Sequence, residues 1–238
     1  MWSTARSEAR LNAAFPVPIE VRPVRRATRM RLRFDEASGT LKLTCPKRTS
    51  RRAALAWALD QREWIDAQLA KLPPAEPFEP GAVIPVEGVD TRLTWSPDAA
   101  RTPRLADREL CCGGPREGFA RRIEKYLKAV AVKTMSQEAA EYASAAGVAI
   151  RAVSVGDAGT RWGSCSAQGR LRLSWRLILA PPSVRRFVVA HEVAHLKHFN
   201  HGPEFKALEA QLFGMGLGEA KAALRRLGPR LRRIGRRN

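Results

Sequence analysis

Residues 187–205 read FVVAHEVAHLKHFNHGPEF, and this stretch decides how the rest of the chain is read. It holds His191, His195, His198 and His201, all four histidines of the 238-residue chain, within eleven positions. On a helix, His191 and His195 share one face a turn apart. That separation lets two imidazoles reach one metal ion at about 2.0–2.1 Å each. Glu192 projects beside the pair, placed to hydrogen-bond a water rather than to act as a ligand. The flanking Phe187, Val188, Val189, Ala190, Val193, Ala194 and Leu196 make the helix apolar on nearly every side, hence buried. A buried helix has no use for two unpaired histidines unless a metal takes their lone pairs.

Zinc held by two histidines needs a third protein ligand. His201 lies six residues after His195 and returns to the pair only if the helix stops between them. Asn200 suits the left-handed residue that ends a helix, and Gly202-Pro203 suits the start of a new one. A helix ending near residue 199, a tight turn and a second helix from Pro203 would swing His201 back. The spacing HExxH-x5-H equals that of the metzincins, with His198 where their helix-ending glycine stands. Glu204 and Glu209 are the rival third ligands; ligand softness and spacing favour His201. His198 reads as a helix C-terminal histidine favoured by the macrodipole. Three imidazoles leave one position of a single zinc ion open for water, the mark of a catalytic site. Glu192 is then the general base.

Working outward, residues 170–176 alternate Leu171, Leu173 and Trp175 as a strand. Residues 159–166 hold a turn and strand, and 148–156 another strand. Pro181-Pro182 leads to Ser183 as the expected N-cap of the metal helix. Residues 117–146 form a long helix with Phe119, Ile123, Leu127, Val130 and Met135 on its core face, closed by Gly147. Helices are expected over about 203–213 and 217–227. Trp162 reads as core packing. Arg161 and Ser164 are the candidates for the oxyanion or substrate contact, because no tyrosine follows the metal helix: Tyr126 and Tyr142 both lie on the long helix. An extended substrate is expected to pair with a strand near 160–166 or 171–176.

The first half reads as a β-rich module over 29–113 with one helix. Met30, Leu32 and Phe34 alternate with Arg29, Arg31 and Arg33, a strand with one side in water. Ser38-Gly39 turns it into a second strand with Leu41, Leu43 and Cys45. Residues 50–72 form a helix capped by Ser50, with Trp57 and Trp64 packing on the sheet. Residues 73–81 are a proline-rich connector. A hairpin follows around Glu87-Gly88, then a strand over 104–112. Gly113-Gly114-Pro115 is the expected domain boundary. Residues 1–28 read as a poorly ordered lead-in with a short strand near Ile19–Val24.

Lys and Arg total 42 against 23 acids, a formal charge of +19, and hydrophobic content is 45%. Such a charge favours polyanions. Residues 221–238 carry eight basic residues and no acid, and 228–238 reads as a solvated basic tail. It has no aromatic residue for base stacking. Nucleic acid thus stays open as a partner through the basic surface, with no specific motif for it. No apolar run reaches membrane-span length, and the N-terminus lacks a secretory core. Cys45, Cys111, Cys112 and Cys165 show no CxxC spacing and read as reduced thiols of a cytoplasmic protein.

The combination RWGSC (161–165), LRLSWRLILAPP (171–182) and VVAHEVAHLKHFNHGPEF (188–205) resembles the YgjP-like metallopeptidase family, a relative of the SprT-like zincins. RMRLRF and REWIDAQLAKL also fit its layout, so the resemblance spans most of 29–213. It implies an α+β fold, a zincin-like catalytic domain over 117–227 after the β-rich module. It also implies a zinc held by His191, His195 and His201, with Glu192 as base, acting on a peptide or protein substrate. The chain departs from the family at Ser174, where Asn is usual, and at Lys206, where an aromatic is usual; both bear on substrate fit. Two other functions stay open: a zinc hydrolase of a nucleotide phosphoanhydride, and a nucleic-acid-associated protease using the basic tail.

Overall fold

Alternating side chains and a few caps account for most of the elements in the computed structural model, which describes residues 11–35, 39–157, 159 and 161–236. The chain divides into two compact units at Pro73/Pro74.

In the first unit, β1 (Ile19–Val24), β2 (Arg31–Asp35) and β3 (Thr40–Pro46) form a sheet in the order β1-β3-β2. β2 and β3 are the expected antiparallel pair, with Phe34 opposite Leu41; part of their turn, including Ser38, lies outside the described residues. β1 joins the other side of β3 in parallel. Alternation sends Leu41, Leu43 and Cys45 into the core. The core also takes Phe15, so from there on the lead-in packs instead of hanging loose; residues 1–10 lie outside the described set. Helix α1 (Arg51–Leu59) starts where Ser50 Oγ accepts from the Ala53 N–H at 3.2 Å. The single helix expected over 50–72 is in fact two. Gln61 turns its N–H to the Ala58 carbonyl, and this tighter turn re-aims α2 (Arg62–Ala70) so that Ile65 is its buried residue.

The second unit opens with β4 (Val83–Val86), β5 (Val89–Trp95), β6 (Arg104–Ala106) and β7 (Glu109–Cys112), ordered β4-β5-β7-β6. The segment 104–112 is two strands, not one, because Asp107 and Arg108 both take positive φ and reverse the chain. Ile84, Val86, Leu93, Leu110 and Cys112 belong to the same core as α3 (Phe119–Ala146). That shared core is why the division falls in the proline-rich connector and not at Gly113–Pro115. Gly147 closes α3 in the left-handed region at φ 66°. β8 (Ala152–Gly156), β9 (Gly163–Cys165) and β10 (Arg170–Ser174) follow in the order β8-β10-β9. β10 is therefore central and cannot offer an edge; β9 can.

A 3-10 turn over Trp175–Leu179 leads to α4 (Pro182–Ala194). Its cap is Pro181 with Pro182 in the first turn, not Ser183; proline there forfeits only an N–H that no helix bond would use. α5 (Pro203–Phe213) and α6 (Leu217–Arg233) complete the unit. α4 is tied to α3 by Arg185, whose guanidinium bonds the Glu138 carboxylate at 2.9–3.2 Å and Glu87 at 2.9 Å. Arg185 and Glu138 are both buried.

Through Arg236, the last described residue, the basic tail is not a solvated arm. α6 runs to Arg233, and Leu231 and Ile234 are buried. Buried Arg176 donates to the carbonyls of Leu231 and Ile234, and it pairs with Asp157 at 2.7 Å. Arg236 meets the same carboxylate at 2.6 Å. Burial alone would raise the Asp157 pKa, but these guanidiniums win and hold it below the usual carboxylate range. No helix among the described residues is long and apolar enough to cross a membrane.

Candidate metal centre

The last turn of α4 carries His191 and Glu192, and His195 is its C-cap residue. The helix thus ends a turn earlier than residue 199. Asn200 does not take positive φ; it reverses the chain by another route, its Oδ1 accepting from the Gly202 N–H at 3.1 Å. α5 then starts at Pro203, and the intervening loop brings His201 back. One ligand atom from each of His191, His195 and His201 lies within 4.8 Å of the others. His191 Nε2 and His201 Nε2 are 3.4 Å apart. Two nitrogens bound tetrahedrally at 2.0–2.1 Å would be separated by about 3.3 Å, so the spacing fits one small cation.

The tautomers agree with this. His191 Nδ1 faces Glu209 Oε1 at 2.7 Å, and His195 Nδ1 faces the His198 carbonyl at 3.1 Å. Each acceptor holds the proton on Nδ1 and leaves the Nε2 lone pair for a metal. Buried Phe205 lies beneath all three rings, with centroids 5.0, 4.5 and 4.8 Å from His191, His195 and His201. Burial lowers the His195 pKa, favouring the neutral, ligating form.

The rival ligands are placed elsewhere. Glu209 is buried and shared between His191 and Lys221, whose Nζ reaches it at 2.7 Å. Burial would raise its pKa, yet the Lys221 and His191 bonds lower it, so it stays a carboxylate that orients His191. Glu204 is exposed and lies 3.4 Å from His198 Nδ1. The sequence reading missed Glu209 as a positioning group, although its place beside Phe205 and Leu208 on the buried side of α5 was a usable signal.

Glu192 is only 6% exposed. Burial raises its pKa to about 7, against the pull of the Arg161 charge; a bound cation would draw it down again. The carboxylate lies against the backbone of Gly163 on β9, where any Cβ would overlap it. Gly163 and Ser164 are successive strand residues and so present opposite faces. Ser164 therefore stands on the face away from Glu192, opposite Arg172. Arg161, exposed at the start of this segment, is the member of the pair whose charge reaches Glu192. Arg161, Ser164 and Arg172 line a hollow of about 360 Å³ with Trp162 and Ser174. Trp162 is half-buried and packs on α6, with Arg232 over its ring at 4.7 Å. Burial and the Glu192 charge push the Cys165 thiol up to about 11, and Cys165 is not among the groups that converge with the three histidines.

Three imidazoles converge, the protons of His191 and His195 held away by a carboxylate and a carbonyl, and the group could hold a metal ion. The family model described as YgjP-like, metallopeptidase domain, matches residues 28–227, and the chain belongs to this metallopeptidase family. No curated protein and no solved structure matches the chain.

Proposed function

We propose that the protein is a zinc-dependent metallopeptidase, with one zinc ion held by His191, His195 and His201 and with Glu192 as the general base. The observation that carries this reading is the convergence of the three imidazoles beside the buried Glu192 carboxylate. When bound, zinc supplies Lewis acidity, acidifying water and polarising a carbonyl. Glu192 takes the proton of the attacking water on a carboxylate oxygen and returns it to the departing amine nitrogen. Arg161 offers positive charge for the developing oxyanion. Ser164, on the outer face of β9, is left a substrate contact. The free edge of β9 offers backbone groups to an extended peptide. The four free cysteines suit a reducing, cytoplasmic setting.

A second reading is hydrolysis of a nucleotide phosphoanhydride. It is favoured by Arg161 and Arg172 lining one hollow with no ion pair to a carboxylate among the described residues. Metal analysis of the purified chain should find one zinc, and His201→Ala should lose it. Chelation should abolish cleavage of denatured protein, and zinc should restore it. Turnover of nucleoside triphosphates without any peptide cleavage would transfer the assignment to the second reading. A protein without zinc affinity would end both.

Gly163→Ala tests the fit around the base. The new methyl must displace the Glu192 carboxylate, and misplacement by about 1 Å costs on the order of 100-fold. kcat/KM should fall by that factor while zinc content and the thermal midpoint hold. Unchanged kinetics would show that Glu192 works from another position.

A further inference from the structure

The first unit carries a hollow of about 410 Å³ far in sequence from the histidines. One side is four consecutive residues, 29–32, entering and beginning β2; the other is Trp57, Gln61 and Trp64. Consecutive residues of a strand face opposite ways, so a hollow that meets all four runs along the strand's edge, and β2 is an edge strand. Trp57 on α1, Gln61 at the turn and Trp64 on α2 all line the hollow. Trp57 packs on the core of the unit. Trp64 does not: it is 39% exposed, against the expectation that both indoles simply pack on the sheet.

The strand side of the hollow is basic. Arg29 and Arg31 are exposed and make no ion pair with a carboxylate among the described residues. Arg25, Arg26 and Arg33 continue the row and are exposed too. On the helical side, Asp66 is paired with Arg62 at 2.9 Å, and Asp60 and Glu63 are exposed beside Gln61 and Trp64. The unit as a whole, through Pro73, has fifteen Arg and Lys against seven Asp and Glu. Indoles beside guanidiniums without an ion pair are the combination that the basic C-terminal segment lacks.

We propose that this hollow binds single-stranded nucleic acid, with a base stacked on Trp64 against the Trp57 side and phosphates at Arg29 and Arg31. Every base has a π-face, so stacking on indole is tolerant of sequence, while guanidiniums track the backbone. The Gln61 amide both donates and accepts, and so meets the edge of a base of either pattern. An acidic peptide added as a strand to β2 would satisfy the guanidiniums, but it has no flat group for the two indoles. The site needs neither the histidines nor zinc, and it stands or falls apart from the peptidase reading.

The test uses the full chain and a fluorescein-labelled short oligothymidylate, with anisotropy titrations over a range of salt. Trp64→Ala should weaken binding about ten-fold or more, and Trp64→Phe should recover most of the loss. Arg31→Gln should make the log–log salt dependence shallower by about 0.7, the loss of one phosphate contact on a single strand. Unfolding midpoints should match wild type, since both side chains are exposed. Absence of binding at low salt overturns the proposal. So does binding that ignores both Trp64 variants, which would be charge attraction alone. Displacement by poly-glutamate as effective as by unlabelled oligonucleotide overturns it as well, marking an acidic-peptide site.

Discussion

Glu192→Gln should lower peptide turnover by on the order of 1,000-fold while zinc content stays at the wild-type level. General acid–base groups contribute 10²–10⁴-fold, and in the proposed mechanism one carboxylate serves both the attack and the departure. The side chain makes no metal bond in the arrangement described, so the three imidazoles keep their donors. Stability should hold or rise. Burial already disfavours the charged form of Glu192, with its pKa pushed up to about 7, and an amide of the same shape carries no charge to desolvate. The measurement is kcat/KM on a peptide found by screening, with metal analysis and a thermal melt on the same sample. Wild-type turnover in this variant would remove Glu192 from the chemistry. Loss of zinc together with activity would instead make it part of the metal cage.

Arg185→Met should cost about 3–5 kcal/mol of stability, because it leaves the buried Glu138 carboxylate without its partner. For a unit of this size that is a fall of roughly 6–20 °C in the midpoint. The pair itself need not be a large net gain. Removing two charges from water costs several kcal/mol per ion, and attraction in the interior repays it only with good geometry. The double variant Arg185→Met/Glu138→Leu should therefore recover most of the loss. Thermal unfolding followed by circular dichroism checks both. A single variant melting with wild type would show that water reaches Glu138. A double variant as unstable as the single would show that the pair contributes more than its own neutralisation. Arg185 sits in the first turns of α4, so the same experiment reports how firmly the helix bearing His191 and Glu192 is held.

The convergence of His191, His195 and His201 was legible because histidine is rare here and its spacing matches helix geometry. The ring of residues that orients them was less so. Glu209 could have been suspected as an acid on a buried helical stripe. Gly163 could not, since its need for a bare Cα comes from Glu192, twenty-nine residues away in sequence. Gly113-Gly114-Pro115 looked like a hinge, yet Gly113 lies where a side chain would overlap the carbonyls of Ser96 and Ala99. Its lack of a Cβ serves close packing there, not a linker. The arginines at the end of the chain were counted as solvated charge. Several are consumed locally: Arg236 on Asp157, Arg230 on Glu76 at 2.7 Å, and Arg232 on the Gly159 carbonyl. Net charge does not say which guanidiniums have already found an acceptor. Periodicity placed Trp64 on the helical stripe, but only burial shows that it stays 39% exposed.

Glu76 hydrogen-bonds Arg233 and Gly235 through its backbone, and its carboxylate takes Arg230. The opening and closing segments of the second unit are thus stitched together. During synthesis, this unit cannot be finished until residues 230–235 have emerged, however early the histidines appear. Premature termination a few codons short of Arg230 would strip Arg176 of its carbonyl acceptors. Conversely, the nearness of those two segments makes the unit a natural candidate for circular permutation, with new termini opened in an exposed loop.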